Sequence, residues 1–344
     1  ITSLGAAKIR AIPTGIEHGT VTAVRDRRGI EITTLRRDVE TDGRHATVSF
    51  DADWREDAER RDFTMNALFA DPDGTIHDFV GGLADARASR VRFVGDPEKR
   101  IEEDYLRILR FFRFQALVGK VEPDRAVLAV IRRNIAGLDG LSGERITRET
   151  LGLLGAKDPA SAWALLCEIG IDKSILGDAV ADPSVLTTLI GIERTVGVDP
   201  DGLRRLSALG RVGRLRLSGG QTARLGEIRA ARESLTESGT VPGPIASRIA
   251  LYRWGREVAL DGFLTSWASR PDWPEGDAKK AFAIIKAEPV PQFDVTGQDV
   301  LDLGVQQGAA VGDALRKVEG WWIENGLTAG REACLAHLRK VIPL

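Results

Sequence analysis

Only two cysteines occur in the 344 residues, Cys167 and Cys334, far apart and each in a stretch of helical periodicity. That excludes a disulfide framework and points to buried, reduced thiols in a cytoplasmic protein. The histidines His18, His45, His77 and His337 show no paired ligand spacing, so no zinc site is expected. No apolar run approaches the length of a bilayer span and no signal-peptide pattern is present, so no membrane partner is expected. Neither sign of charge dominates: 48 basic against 50 acidic residues leave a net charge of -2. A uniformly basic nucleic-acid coat is thereby excluded, though a local basic patch is not. Fixed-period repeats and low-complexity segments are also missing.

What is present is enough chain for two or more domains and, at 43% apolar residues, enough apolar surface for a sizeable core. The opening "ITSLGAAKIRAIPTG" reads as the end of an amphipathic helix running into a strand, so the expectation is a chain that begins inside an element, with an N-terminal piece missing. Residues 16 to 37 alternate apolar and polar around "DRRG", a hairpin signal. "ATVSF" (46 to 50) adds a short extended piece, "DWREDAERRDFTMNALFAD" reads as helix, and "GTIHDFV" as extended chain. From Ala84 to about residue 340 nearly everything has helical periodicity. Starts are marked at "DPEKRIEEDY", "EPDRAVLAVI", "SGERITRETLGLL" and "DPASAWALLCEIG", where Asp, Ser or Pro precedes the first turn. The fold class is α+β: a partial α/β head with a hairpin sheet, then a mostly all-α remainder.

Two stretches carry chemistry. "RRDFTMNA" crowds Arg60, Arg61, Asp62, Thr64 and Asn66 together. Paired guanidiniums grip phosphate, and a carboxylate accepts from a ribose 2′-hydroxyl. A surface helix with local ion pairs is the plainer alternative. In "EEDYLRILRFFRF" (102 to 114), read as one continuous helix, Ile101, Tyr105, Ile108, Phe112 and Ala116 form an apolar stripe. Glu103, Asp104 and Arg107 gather on the opposite side with Phe111 and Phe114, a face expected to be covered or occupied. A carboxylate beside a guanidinium complements an amino group next to an unprotonated ring nitrogen, the edge shared by cytosine and adenine. Guanine and uracil reverse both groups and are repelled. The alternative is an ordinary surface salt bridge.

These stretches, with "DFVGGLADA" (78 to 86) and "LSGERITRE" (141 to 149), resemble in their order the class II tRNA nucleotidyltransferases, the CCA-adding enzymes of the polymerase-β-like nucleotidyltransferase superfamily. The resemblance covers essentially the whole chain, through "VTGQDVLDLGVQQGAAVGDALRKVEGWW" near its end. It implies a nucleotidyltransferase head (1–81), a helical neck with the nucleotide-selecting helix (82–140), a helical body (141–240) and a helical tail (241–344). It also implies tRNA as partner, CTP and ATP as substrates, and Mg²⁺ as cofactor, with no nucleic-acid template. Arg61, Asp62 and Asn66 would bind ribose and phosphates. Glu103, Asp104 and Arg107 would form the amino-acid template, and Arg110 would contact the triphosphate or orient the helix. A hinge motif matches at Asp78, Gly82 and Asp85, with Ala86 where leucine is usual, a change expected to affect packing only.

One departure is larger. The family's Gly-Gly-x-x-Arg-Asp loop and Asp-x-Asp pair do not occur ahead of "IPTGIEHGTV". The nearby candidate for a catalytic carboxylate is Glu31, in "IEITTLR", and no other metal ligand is identified. The expectation is a partial copy of an ordinary enzyme, inactive alone. His18 is expected to be structural. "GLRRLSALGRVGRLRLSGGQTARL" (202 to 225) carries six arginines and no acid, which suggests an RNA-backbone surface at Arg211, Arg214 and Arg216, with a solvated helix face as the alternative. Trp321 and Trp322 are expected to seal a helical core. Rival readings are a poly(A) polymerase, a member adding only CC or only A, and a non-catalytic RNA-binding helical module. A poly(A) polymerase usually has a long basic extension, against which the net charge of -2 and the "KVIPL" ending argue.

Overall fold

The computed structural model describes residues 1–16, 19–35, 37–41, 46–49, 53–177 and 183–342, with 37–41 and 46–49 described by their backbone only. The chain forms two compact units, Ile1–Asp178 with Gly213–Arg216, and Ala179–Val212 with Leu217–Leu344. We propose the division into head, neck, body and tail beside these two units; the body, 141–240, has residues in both of them.

In the first unit a short helix α1 (Thr2–Ala6) leads into an antiparallel sheet of β1 (Arg10–Gly15), β2 (Thr20–Arg25) and β3 (Arg28–Thr33), in that order. Asp26 and Arg27 close the β2–β3 hairpin with φ of 51° and 62°. Two positive φ values give the turn the twist that its strands require. The strands β4 (Arg37–Thr41) and β5 (Ala46–Ser49) form a second antiparallel pair. The helix expected from "DWREDAERRDFTMNALFAD" is shorter than its periodicity suggests. Asp53 and Glu56 cap α2 (Trp54–Glu59) reciprocally, and the chain then leaves the helix. Phe63 bridges to Phe93 in antiparallel fashion, a 3₁₀ turn spans Thr64–Asn66, and β6 (Leu68–Ala70) pairs with β7 (Ile76–Asp78).

Helices follow: α3 (Gly82–Ala88), α4 (Pro97–Glu103), α5 (Leu106–Leu117), α6 (Arg125–Arg133), α7 (Gly143–Leu154), α8 (Ala160–Ile169) and α9 (Ile171–Leu176). Asp96, Asp124 and Ser142 accept backbone N–H groups at the starts of α4, α6 and α7, as their sequences suggest. "EEDYLRILRFFRF" is not one helix. It breaks at Asp104, whose backbone is extended (φ -157°, ψ 102°). The cause is local: the Asp104 carboxylate accepts the Leu106 N–H at 3.1 Å and its carbonyl accepts the Arg107 N–H at 3.0 Å, so a new helix starts there. Ile101, Ile108 and Phe112 are buried as the apolar stripe requires, with Tyr105 and Ala116 half-buried. Phe111 is buried too, stacked on Phe93 with ring centres 5.6 Å apart. Of the two aromatics on that side, Phe111 is thus covered by the protein itself, while Phe114 is half-buried.

The second unit is helical in its described residues: α10 (Pro183–Val196), α11 (Gly202–Leu209), α12 (Gly219–Thr236), α13 (Pro244–Ala268), α14 (Glu275–Ala287), α15 (Gly297–Asp302), α16 (Ala309–Glu324) and α17 (Arg331–Val341). Gly255, at φ 70°, kinks α13. Its core includes an ion network. Glu193 accepts from Arg204 and Arg205, while Asp261 accepts from Arg204 and Arg224. Arg204 and Arg205, exposed by only 4% and 1%, are therefore interior groups and not part of a basic surface. Trp322 is buried in the C-terminal cluster, its indole N–H bonded to the Ala329 carbonyl at 2.9 Å, and Trp321 stacks on His337. Among the described residues no helix is long and apolar enough to cross a membrane.

Candidate functional site

A buried aspartate organises the first part of the site. Asp57, on α2 and 2% exposed, accepts from Arg60 and, at 2.9 and 3.1 Å, from Arg61. Burial alone would raise its pKa, but the hydrogen bonds and charges of the two arginines outweigh it and hold the carboxyl below its ordinary value. Arg61 also donates to the Asn66 carbonyl at 3.0 Å, which ties it to the 3₁₀ turn. Asp62, just past the helix, accepts from the Phe63 N–H (2.8 Å), the Asn66 amide (3.0 Å) and the Arg110 guanidinium (2.7 Å). Thr64 points the other way and donates to the buried Asp85 at 2.7 Å.

The hinge motif braces this turn. The Asp78 carboxylate receives four successive N–H groups, from Val80, Gly81, Gly82 and Leu83, at 2.8 to 3.1 Å. Burial opposes the charge of Asp78, yet these donors keep its pKa below the ordinary value. Gly81 takes φ 79° to let the chain fold over the carboxylate. A Cβ on Gly82 would lie 2.0 Å from the Thr64 carbonyl oxygen, so only glycine permits α3 to approach the turn this closely. Ala86 is exposed, so a leucine there would add nothing to the core.

The second part of the site comes from the α4–α5 break and from α7. Glu103 receives Arg100 at 2.8 Å and Arg107 at 2.5 Å, and Arg107 further donates to the Arg100 carbonyl at 2.7 Å and the Arg60 carbonyl at 3.3 Å. The Arg107 Nε has no hydrogen-bond partner among the described residues. The expected grouping of Glu103, Asp104 and Arg107 is thus resolved into two pairs: Glu103 takes Arg107, while Asp104 takes Arg145 of α7 at 2.7 Å. Tyr105 packs against Gly137, where a Cβ would come within 2.0 Å of the ring. Both parts open onto one cleft of about 670 Å³ lined by Arg61, Asp62, Asn66, Asp104, Arg107 and Arg110, with Arg60, Leu106, Phe114 and Arg145. Six of the seven residues read as nucleotide ligands thus line one space, and the seventh, Glu103, braces it through Arg107.

Three further residues were not singled out from sequence. Asp57 stands three and four positions before Arg60 and Arg61, a spacing that was legible. Arg145 and Glu149 lie within "LSGERITRE", but only the packing of α7 on α5 brings Arg145 to the cleft and Glu149 behind it, 3.8 Å from Arg110. The other expected residues lie elsewhere. Glu31 is exposed on β3 opposite Thr22, and among the described residues no three His, Cys, Asp or Glu side chains converge to hold a metal ion. His18 lies outside the described residues. Arg211 and Arg216 are exposed, whereas Arg214 is half-buried and donates to the Leu138, Asp139 and Leu141 carbonyls at 3.0 to 3.3 Å.

The chain is similar to known proteins over nearly its whole length. Residues 2–92 match the family model described as the poly A polymerase head domain. The mouse mitochondrial CCA tRNA nucleotidyltransferase 1 is 32% identical over 353 residues, 95% of this chain and 76% of that protein. The CCA-adding enzyme of Lacticaseibacillus paracasei is 30% identical over 97% of this chain and 82% of that protein. The crystal structure of the Bacillus stearothermophilus CCA-adding enzyme in complex with CTP superposes with a TM-score of 0.66 at 27% identity, covering 96% of this chain and 83% of that one.

Proposed function

Since the chain belongs to the CCA-adding tRNA nucleotidyltransferase family, we propose that it adds CMP and AMP from CTP and ATP to the 3′ end of tRNA, with its own side chains choosing the base. The observation that carries this reading is the single cleft that collects the arginine-aspartate turn and the α4–α5 break. Arg61 offers its guanidinium to phosphate from a fixed position, since Asp57 and the Asn66 carbonyl hold it. Asp62 and Asn66 stand beside it for the ribose. Asp104, when ionised, can only accept, and Arg107 can only donate. An amino group beside an unprotonated ring nitrogen satisfies both, and a carbonyl beside a protonated nitrogen satisfies neither. Arg110 spans the two groups through Asp62, a position suited to the triphosphate or to orienting α5. The poly(A) polymerase reading recedes because relatives aligned over nearly the whole chain are named CCA-adding.

Mg²⁺ is the ion this transfer would use, to neutralise charge on the phosphates. The described residues do not fit it: Glu31 has no converging acidic partners among them. Glu31, exposed on β3, is the candidate carboxylate of the reaction. Arg211 and Arg216 are the residues we assign to the tRNA backbone, whereas Arg214, the third residue of that expected surface, spends its donors on the Leu138, Asp139 and Leu141 carbonyls. A reducing, cytoplasmic location suits the free thiols; Cys167 is pushed up to about 12 by burial and by the nearby Asp172 carboxylate, which keeps it unreactive.

The test measures the affinity of all four ribonucleoside triphosphates for three variants. Arg107→Ala and Asp104→Ala should each shift preference toward UTP or GTP by on the order of 2 kcal/mol, the cost of facing like groups in a desolvated site. Arg110→Ala should weaken all four without reordering them. A common loss for all four nucleotides in Arg107→Ala would reduce the pair to a structural salt bridge.

A further inference from the structure

We propose that Arg145 of α7 is the positioning residue that aims Asp104 at the base, so that base choice depends on a helix outside the α4–α5 template. This inference rests on the base-reading assignment of Asp104. Asp104 lies in an extended break, not on a helix, so no helical geometry fixes its side chain. Two contacts fix it instead. One carboxylate oxygen, Oδ1, accepts the Leu106 N–H at 3.1 Å, and the other, Oδ2, accepts Arg145 Nη2 at 2.7 Å. With both oxygens engaged, the plane of the carboxylate is set before any nucleotide arrives, and each oxygen keeps acceptor capacity for the base.

The position of Arg145 sets it apart from an incidental ion pair. It lies 41 residues from Asp104, on a helix capped by Ser142, and both side chains line the cleft. About a third of the Arg145 side chain remains exposed, so the pair adds little to stability. One turn further along α7, Glu149 is 3% exposed, accepts from Arg113 at 2.5 Å, and lies 3.8 Å from Arg110, which holds Asp62. Residues 145 and 149 share a face of α7. That face therefore reaches the base side of the cleft directly and the ribose side through Arg110. The start of α7 is itself pinned: a Cβ on Gly143 would lie 2.7 Å from the Arg214 carbonyl oxygen, and Thr147 accepts the Arg216 N–H at 2.7 Å.

The experiment compares equilibrium affinities for CTP and UTP in the wild-type chain, Arg145→Ala, Asp104→Ala and the double variant, with thermal unfolding recorded for each. Arg145→Met keeps the apolar stem and serves as a second reading should the alanine variant fold poorly. We expect Arg145→Ala and Arg145→Met to reduce the CTP-to-UTP affinity ratio about tenfold, equivalent to about 1.4 kcal/mol. Arg145→Lys, which can still donate to Asp104, should restore most of the ratio. In the Asp104→Ala background, loss of Arg145 should leave the ratio unchanged, because there is no carboxylate to aim. An equal loss of CTP and UTP affinity in Arg145→Ala, or no loss at all, overturns the inference while a lowered ratio in Asp104→Ala keeps the base-reading assignment. A wild-type ratio in Asp104→Ala removes that assignment and the positioning role with it.

Discussion

Asp57 holds two guanidiniums on one buried carboxylate, and through Arg61 it shapes the lining of the cleft. Its pKa is lowered in the folded protein, so its stabilising contribution is complete above the unfolded carboxyl pKa of about 4 and fades as pH falls through the lower folded value. Asp57→Asn should cost about 1–3 kcal/mol of unfolding free energy at pH 7, since two donors lose a charged acceptor. Urea denaturation at pH 7 and pH 3 checks this: the gap between wild type and variant should narrow at pH 3, and a constant gap would refute the assignment. At this scale the sequence was informative where partners are near neighbours. Arg60 and Arg61 find Asp57 one helical turn back. Arg204 and Arg205 look like surface cations because Glu193 and Asp261, which bury them, are 11 to 57 residues away.

Among the elements, the contact between α3 and the Thr64–Asn66 turn makes the sharpest demand on sequence. Gly82→Ala would drive a Cβ against a backbone carbonyl that no side-chain rotation can move. It should destabilise the fold by about 1–3 kcal/mol and weaken CTP and ATP binding together, because the turn carries Asp62 and Asn66. Thermal unfolding and nucleotide titration of the variant check both effects; an unaltered melting curve would show that α3 can shift freely. The Gly-Gly pair was visible in the sequence as a hinge motif, though the close approach that requires it was not. The α4–α5 break was missed because "EEDYLRILRFFRF" keeps helical periodicity straight through Asp104. The competing signal is an aspartate able to cap the second residue after it, which a periodicity count does not weigh.

At the scale of the whole molecule, the change from mixed strands to mostly helices after Gly81-Gly82 was legible among the described residues, because strand alternation and helix caps are local signals. The grouping into two units was less so, since Gly213–Arg216 joins the first unit from a distance. That placement separates the basic stretch. Arg211→Ala and Arg216→Ala should each weaken tRNA binding and reduce the slope of log affinity against log salt by about one. Arg214→Ala should chiefly lower stability, because its donors are spent on backbone carbonyls. Unchanged slopes in all three variants would place the RNA surface elsewhere. The central claim is that this chain selects its nucleotides by protein side chains alone, and the most direct measurement is the affinity of the wild-type protein for each of the four ribonucleoside triphosphates without tRNA. CTP and ATP should bind at least about tenfold more tightly than UTP and GTP; equal affinity for all four would contradict the claim.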